Sequence, residues 1–136
     1  MGLQVTGGPL SVTPAHAILV LHRIGGGRNF DAALPRVTVV DARGTLAGWT
    51  ATVSGEAPLI GDLSVRPGTP VALSGRQDEV GGGRPGRVGP HTATPVATAL
   101  AGGGGGEFAV GGTVVLSGGP AAGPDTIVVT LDFAAR

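Results

Sequence analysis

Apolar residues recur along this chain in short runs with a period of two, and glycine or proline breaks nearly every run. Leu10-Ser11-Val12-Thr13 alternates as a half-buried strand does, and a weaker run, Leu3–Thr6, precedes it across Gly7-Gly8-Pro9. Ala15–Ile24 is the most apolar stretch, centred on Ile18-Leu19-Val20-Leu21 and ended by Gly25-Gly26-Gly27. Continuous apolar character of that kind predicts a strand covered on both faces. Phe30–Pro35 reads as a short connection into Arg36–Ala42, where Val37 and Val39 alternate with Thr38. Arg43–Gly48 is turn-like. After it Trp49, Ala51 and Val53 take one face and Thr50, Thr52 and Ser54 the other. Two β runs joined by a short Gly-bounded link predict a hairpin.

Further along, Leu63–Val65 and Val71–Leu73 are strand candidates around the turn Arg66-Pro67-Gly68. Residues 77–90 carry charge and glycine with no apolar period, which predicts a flexible loop. Val96–Leu100 leads into five glycines, Gly102–Gly106, read as a second flexible loop rather than a glycine-rich fibre. Phe108–Val110, Thr113–Ser117 and Thr126–Phe133 supply the last strands. The longest stretches free of Gly and Pro, Ala15–Ile24 and Asp125–Arg136, lack helical spacing. No fixed-period repeat is present. Eight to ten short strands without a helix predict an all-β fold, an antiparallel β-sandwich (Ig-like or similar) with long Gly-rich loops. A chain of 136 residues accommodates this as one domain, 1–136.

Composition sharpens this picture. The 27 glycines and 11 prolines alone would suggest low complexity, but hydropathy is positive and only 13% of residues are charged, opposite to a disordered chain. Gly-rich turns between apolar strands reconcile the two. Net charge is zero, so bulk electrostatics gives no pull toward nucleic acid or an anionic membrane. No run reaches the roughly 18 apolar residues of a membrane span, so no membrane insertion is expected. All nine basic residues are Arg, which reads as coding bias ahead of selection for bidentate anion binding. Absence of Cys removes disulfides, thiolate metal sites and cysteine nucleophiles. Met1-Gly2-Leu3-Gln4 has neither the basic nor the apolar region of a signal peptide, which leaves a cytoplasmic protein or a mature form with an added start residue.

Candidate chemistry is sparse. His16 and His22 share a strand face but stand about 20 Å apart, too far to chelate one metal. A phosphate-binding loop needs the Gly-Lys-Ser/Thr ending, and this chain has no Lys. Ser54-Gly55 and Ser117-Gly118-Gly119 lack the strand-to-helix context of a hydrolase elbow. Asp78-Glu79 falls in the expected loop, where neighbours point apart. Trp49, Phe30, Phe108 and Phe133 are the whole aromatic supply, and a core this poor in rings needs them inside. No catalytic constellation, metal or cofactor is expected.

The stretch from Val39 to Val53 carries the strongest pattern. Asp41 and Arg43 share a strand face and can pair, or Asp41 can accept backbone N–H groups of the following turn. Gly44 and Gly48 bracket that turn, where positive φ is expected. Trp49 then reads as a buried ring pinning a hairpin to the opposite sheet, with a ligand-contacting Trp as the alternative. This segment resembles the first motif of the WxL domain of Gram-positive surface proteins, Val-x-Asp-x-Arg-Gly, a spacer, then Gly-Trp-Thr-x-x-Val. Val39, Asp41, Arg43, Gly44, Gly48, Trp49, Thr50 and Val53 match it, and Ala51 stands where Leu is typical. Pro120–Phe133 is similar in layout to the second motif, with Ile127 in place of the usual Tyr and Phe133 in place of the second Trp. The resemblance covers most of the chain in element order and is specific over Val39–Val53. The Ala-, Gly- and Arg-rich composition is similar to that of actinobacterial proteins.

The resemblance implies a secreted, non-catalytic module held non-covalently at the cell wall, with peptidoglycan as its partner. Asp41, Arg43, Gly44, Gly48, Trp49, Thr50 and Phe133 are then the motif and binding candidates. The rival expectation is structural: a self-associating surface or fibre subunit, or an adhesin spacer contacting other surface proteins, since short apolar strands and zero net charge permit edge-to-edge pairing.

Overall fold

The computed structural model describes residues 9–56 and 61–136. The expected strand Leu3–Thr6 lies outside them. The apolar runs within this range become strands, and further strands form between them: β1 (Leu10–Thr13), β2 (His16–Arg23), β3 (Phe30–Ala33), β4 (Val37–Asp41), β5 (Trp49–Glu56), β6 (Asp62–Pro67), β7 (Val71–Ser74), β8 (Val80–Gly82), β9 (Gly86–Arg87), β10 (Thr94–Ala99), β11 (Gly106–Val110), β12 (Gly112–Ser117) and β13 (Thr126–Ala135). They form two antiparallel sheets, ordered β1-β4-β11-β7 and β8-β10-β5-β13-β2-β3-β12-β6-β9. The fold is an all-β antiparallel sandwich.

Alternation places the core. Val37, Val39, Phe108 and Val110 from the smaller sheet meet Leu21, Ala51, Val53, Val65, Val114, Leu116, Val129 and Leu131 from the larger, all nearly without solvent exposure. The larger sheet also curls. Its two edge strands, β8 and β9, are separated by Gly83-Arg84-Pro85 alone, and a link from Gly82 to Gly86 reaches at most about 14 Å. The backbone N–H of Gly83 bonds to the Val96 carbonyl on one side (3.0 Å), and that of Val88 to the Leu63 carbonyl on the other (2.9 Å). Curling thus draws the two short edge strands toward each other, and short edge strands offer little open ladder for pairing.

Five local expectations are corrected. Arg36–Ala42 and Trp49–Ser54 do not form a hairpin. β4 pairs with β1 and β11 in one sheet, β5 with β10 and β13 in the other, so Arg43–Gly48 is an arch that carries the chain between sheets. Left-handed backbone at Gly44, Leu46 and Gly48 redirects the chain there. The run Ala15–Ile24 is covered on one face only: Leu21 is buried, while Ile18 is 67% and Val20 43% exposed. Among the described residues no second layer lies over that face of the larger sheet. Phe30–Pro35 is a strand in its first four residues, because Phe30 fills the core and Phe30–Ala33 pairs with β12. Residues 77–90 are structured as a 3-10 turn, Gln77–Glu79, followed by both edge strands. Gly102–Gly106 is packed, with Gly103 and Gly104 buried and Gly106 starting β11, because glycine permits closer approach to neighbouring groups than any side chain.

Candidate functional site

Strand parity turns Asp41, at the end of β4, toward the interior, where it is 4% exposed. A carboxylate so placed requires a partner, and Arg43 supplies three bonds. Its backbone N–H donates to Asp41 Oδ1 (3.1 Å), Nε–H donates to the same oxygen (2.9 Å), and Nη2–H donates to Oδ2 (3.1 Å). Both pairings allowed by the sequence are therefore made at once. Arg43 Nη2 also donates to the Gly48 carbonyl (2.8 Å), which closes the arch on itself. Hydrogen bonding from the Arg43 guanidinium holds the Asp41 carboxyl below its ordinary range, against the opposing effect of burial. The guanidinium is correspondingly pushed up, chiefly by its hydrogen bonding to Asp41.

Trp49 starts β5 on the inward parity and is 3% exposed. Its ring meets Phe108 of the opposite sheet at 5.9 Å between centroids, tilted by 53°, an edge-inclined arrangement that aromatic quadrupoles favour. The indole Nε1–H donates to the Gly104 carbonyl at 2.9 Å. Gly104 in turn donates its N–H to Glu79 Oε2 (2.9 Å), and Gly102 donates its own to the Leu46 carbonyl in the arch (2.6 Å). Only glycine fits at 104: φ is +82°, and a Cβ would lie 2.8 Å from the indole nitrogen. The five-glycine run is thus the seat of the tryptophan.

The motif residues divide by face. Asp41, Arg43, Gly44 and Gly48 build the arch, and Trp49 anchors it inside. Thr50 points the other way. Phe133 is buried in β13 opposite Val53, and the ring that meets Trp49 is Phe108. Phe108, Gly104 and Glu79 belong to this unit without any local sequence signal that marks them. Only the sheet pairing brings them to Trp49.

On the outer face of β5, Thr50, Thr52 and Ser54 follow one another at alternate positions. With Ala93, Ala134 and Arg136 they line a cleft of about 350 Å³. Arg136 is fixed beside Thr50 by a reciprocal backbone pair, N–H to carbonyl at 2.8 and 3.1 Å. Among the described residues no hydrogen bond or ion pair engages the side chains of Thr50, Thr52, Ser54 or Arg136. The nearest carboxylate across the register is Asp132, opposite Ser54, and it pairs with His16 at 2.7 Å in the open. Among the described residues no group of three or more His, Asp or Glu side chains is arranged to hold a metal ion.

The chain matches no family model, no curated protein and no solved structure.

Proposed function

We propose that this domain is a secreted, non-catalytic surface module that binds the Gram-positive cell wall non-covalently through peptidoglycan. The observation that supports the reading is the unity of the segment carrying the family resemblance. Asp41, Arg43, Gly48 and Trp49 form one bonded arch spanning both sheets, and its next residue, Thr50, emerges at an open hydroxyl-lined cleft. Zero net charge supplies no bulk attraction to a polyanion, which leaves recognition to local groups. Co-sedimentation with purified peptidoglycan sacculi, stripped of attached anionic polymers, tests it. Retention well above that of an unrelated β-sandwich of similar size is expected. Absence of retention overturns it.

A self-associating structural role is the second reading, and a specific surface favours it. Ile18, Val20 and Val128 are exposed together on the outer face of β2 and β13, with Val20 directly opposite Val128. Val71 and Leu73 are likewise exposed on β7, an edge strand. Sedimentation that stays monomeric at high protein concentration removes this reading.

A further inference from the structure

We infer that the outer cleft along β5, and not the tryptophan of the motif, is the ligand-contacting surface, and that it takes a carboxylate-bearing glycan. The choice of glycan rests on the wall-binding reading above; the cleft itself rests on geometry. Trp49 is buried, its N–H is already used by Gly104 and its ring by Phe108, so it offers a ligand nothing. Thr50, one residue on, has the opposite parity and opens into the cleft.

Three properties of the cleft define its ligand. Hydroxyls at alternate positions of one strand run from Thr50 to Ser54 over about 13 Å, long enough to follow more than one sugar ring. A hydroxyl both donates and accepts, which suits the hydroxyl and acetamido groups of a saccharide. None of the three is engaged by another protein group among the described residues, so binding would break no internal bond. Ala93 and Ala134 give the cleft small apolar surfaces against which the C–H face of a sugar can lie.

Charge then orients the ligand. Arg136 stands at the Thr50 end with no ion-pair partner among the described residues, and its guanidinium matches a carboxylate in bidentate geometry. At the other end the strand carries Glu56, and Asp132 lies across from Ser54. Asp132 is already turned to His16. An acidic glycan would therefore lie with its carboxylate toward Thr50 and Arg136 and its neutral or amine-bearing portion toward Ser54 and Glu56. In a muramic-acid saccharide with a peptide stem the sugars supply the hydroxyl and acetamido groups, and the stem supplies the carboxylates and the amine.

The experiment compares wild type, Arg136→Gln, and Thr52→Val with Ser54→Ala, all of which alter exposed or half-buried outer-face side chains and keep strand-compatible shapes. Matching thermal melts establish that the variants fold. Binding is measured by calorimetry to a soluble disaccharide–tetrapeptide muropeptide, to uncharged N-acetylglucosamine oligomers and to oligogalacturonate, alongside retention on sacculi. The expected result is a tenfold or greater loss of muropeptide affinity in Arg136→Gln, a several-fold loss in the hydroxyl variant, and weak binding of the uncharged oligomer by every protein. If wild type is retained on sacculi and both variants equal it, the cleft assignment is overturned while the wall-binding reading stands. If wild type binds oligogalacturonate in an Arg136-dependent way but neither sacculi nor muropeptide, the cleft stands and the wall reading falls. Binding to none of the four overturns both.

Discussion

At the scale of single residues, Asp41 and Trp49 carry the arch by different physics, and their substitutions separate. The Asp41 carboxyl is held low by Arg43, so its charge stabilises the fold fully above 3.8, its ordinary value, which it regains on unfolding. That contribution is lost as pH falls below 3.8 through the lower folded value. Asp41→Asn keeps an acceptor for the Arg43 N–H but has no charge to titrate. The variant is therefore less stable than wild type by a constant margin near neutral pH, and the margin narrows as pH drops below 3.8. Thermal melts of both proteins from pH 7 to pH 2.5 check this, and a margin independent of pH throughout would contradict it. Trp49→Phe preserves an aromatic face for Phe108 but removes the donor to the buried Gly104 carbonyl. A lost hydrogen bond with its partner left buried costs about 1–3 kcal/mol, read from the urea midpoint.

At the scale of elements, the arch rather than any strand is the specific construction, and its glycines are not equivalent. Gly44 and Gly48 both have left-handed backbone, at φ +75° and +81°. A Cβ on Gly44 would meet nothing within 4 Å, whereas one on Gly48 would lie 2.6 Å from the Ala99 carbonyl oxygen and 2.8 Å from the Ala101 nitrogen. Gly44→Ala therefore costs only the left-handed penalty, about 1–2 kcal/mol. Gly48→Ala adds a backbone overlap with the end of β10, for about 3–4 kcal/mol altogether. Equal denaturant midpoints for the two would show that the arch does not press on β10 as described. The sequence marks both positions with the same letter. Their difference arises from the approach of β10, a strand some fifty residues away in the chain.

At the scale of the whole molecule, the strands were legible because alternation is local, and their arrangement was not because pairing is remote. Leu10–Thr13, Arg36–Ala42, Trp49–Ser54 and Thr126–Phe133 were readable within a residue or two, and the spacing of Asp41 and Arg43 allowed their ion pair as one of two arrangements, both of which are made. That β4 and β5 separate into different sheets, and that Gly104 seats Trp49, depends on partners far along the chain. The sidedness of Ala15–Ile24 was hidden for another reason: Ile18 and Val20 are as apolar as Leu19 and Leu21, so no alternation records which face is open. Substitution distinguishes the two cases. A strand covered on both faces would lose about 1.5–3 kcal/mol on burying a hydroxyl in place of Ile18, through lost apolar area and an unpaired polar group. On the open face of β2, Ile18→Thr leaves stability within about 0.5 kcal/mol of wild type. The same substitution removes the most exposed member of the Ile18, Val20 and Val128 stripe. Any concentration-dependent rise in sedimentation coefficient that wild type shows should therefore diminish in Ile18→Thr. A variant that loses stability by 2 kcal/mol would instead mean that this face is covered, and a variant that associates as wild type does would place self-association elsewhere, with the exposed edge of β7 at Val71 and Leu73 next in line.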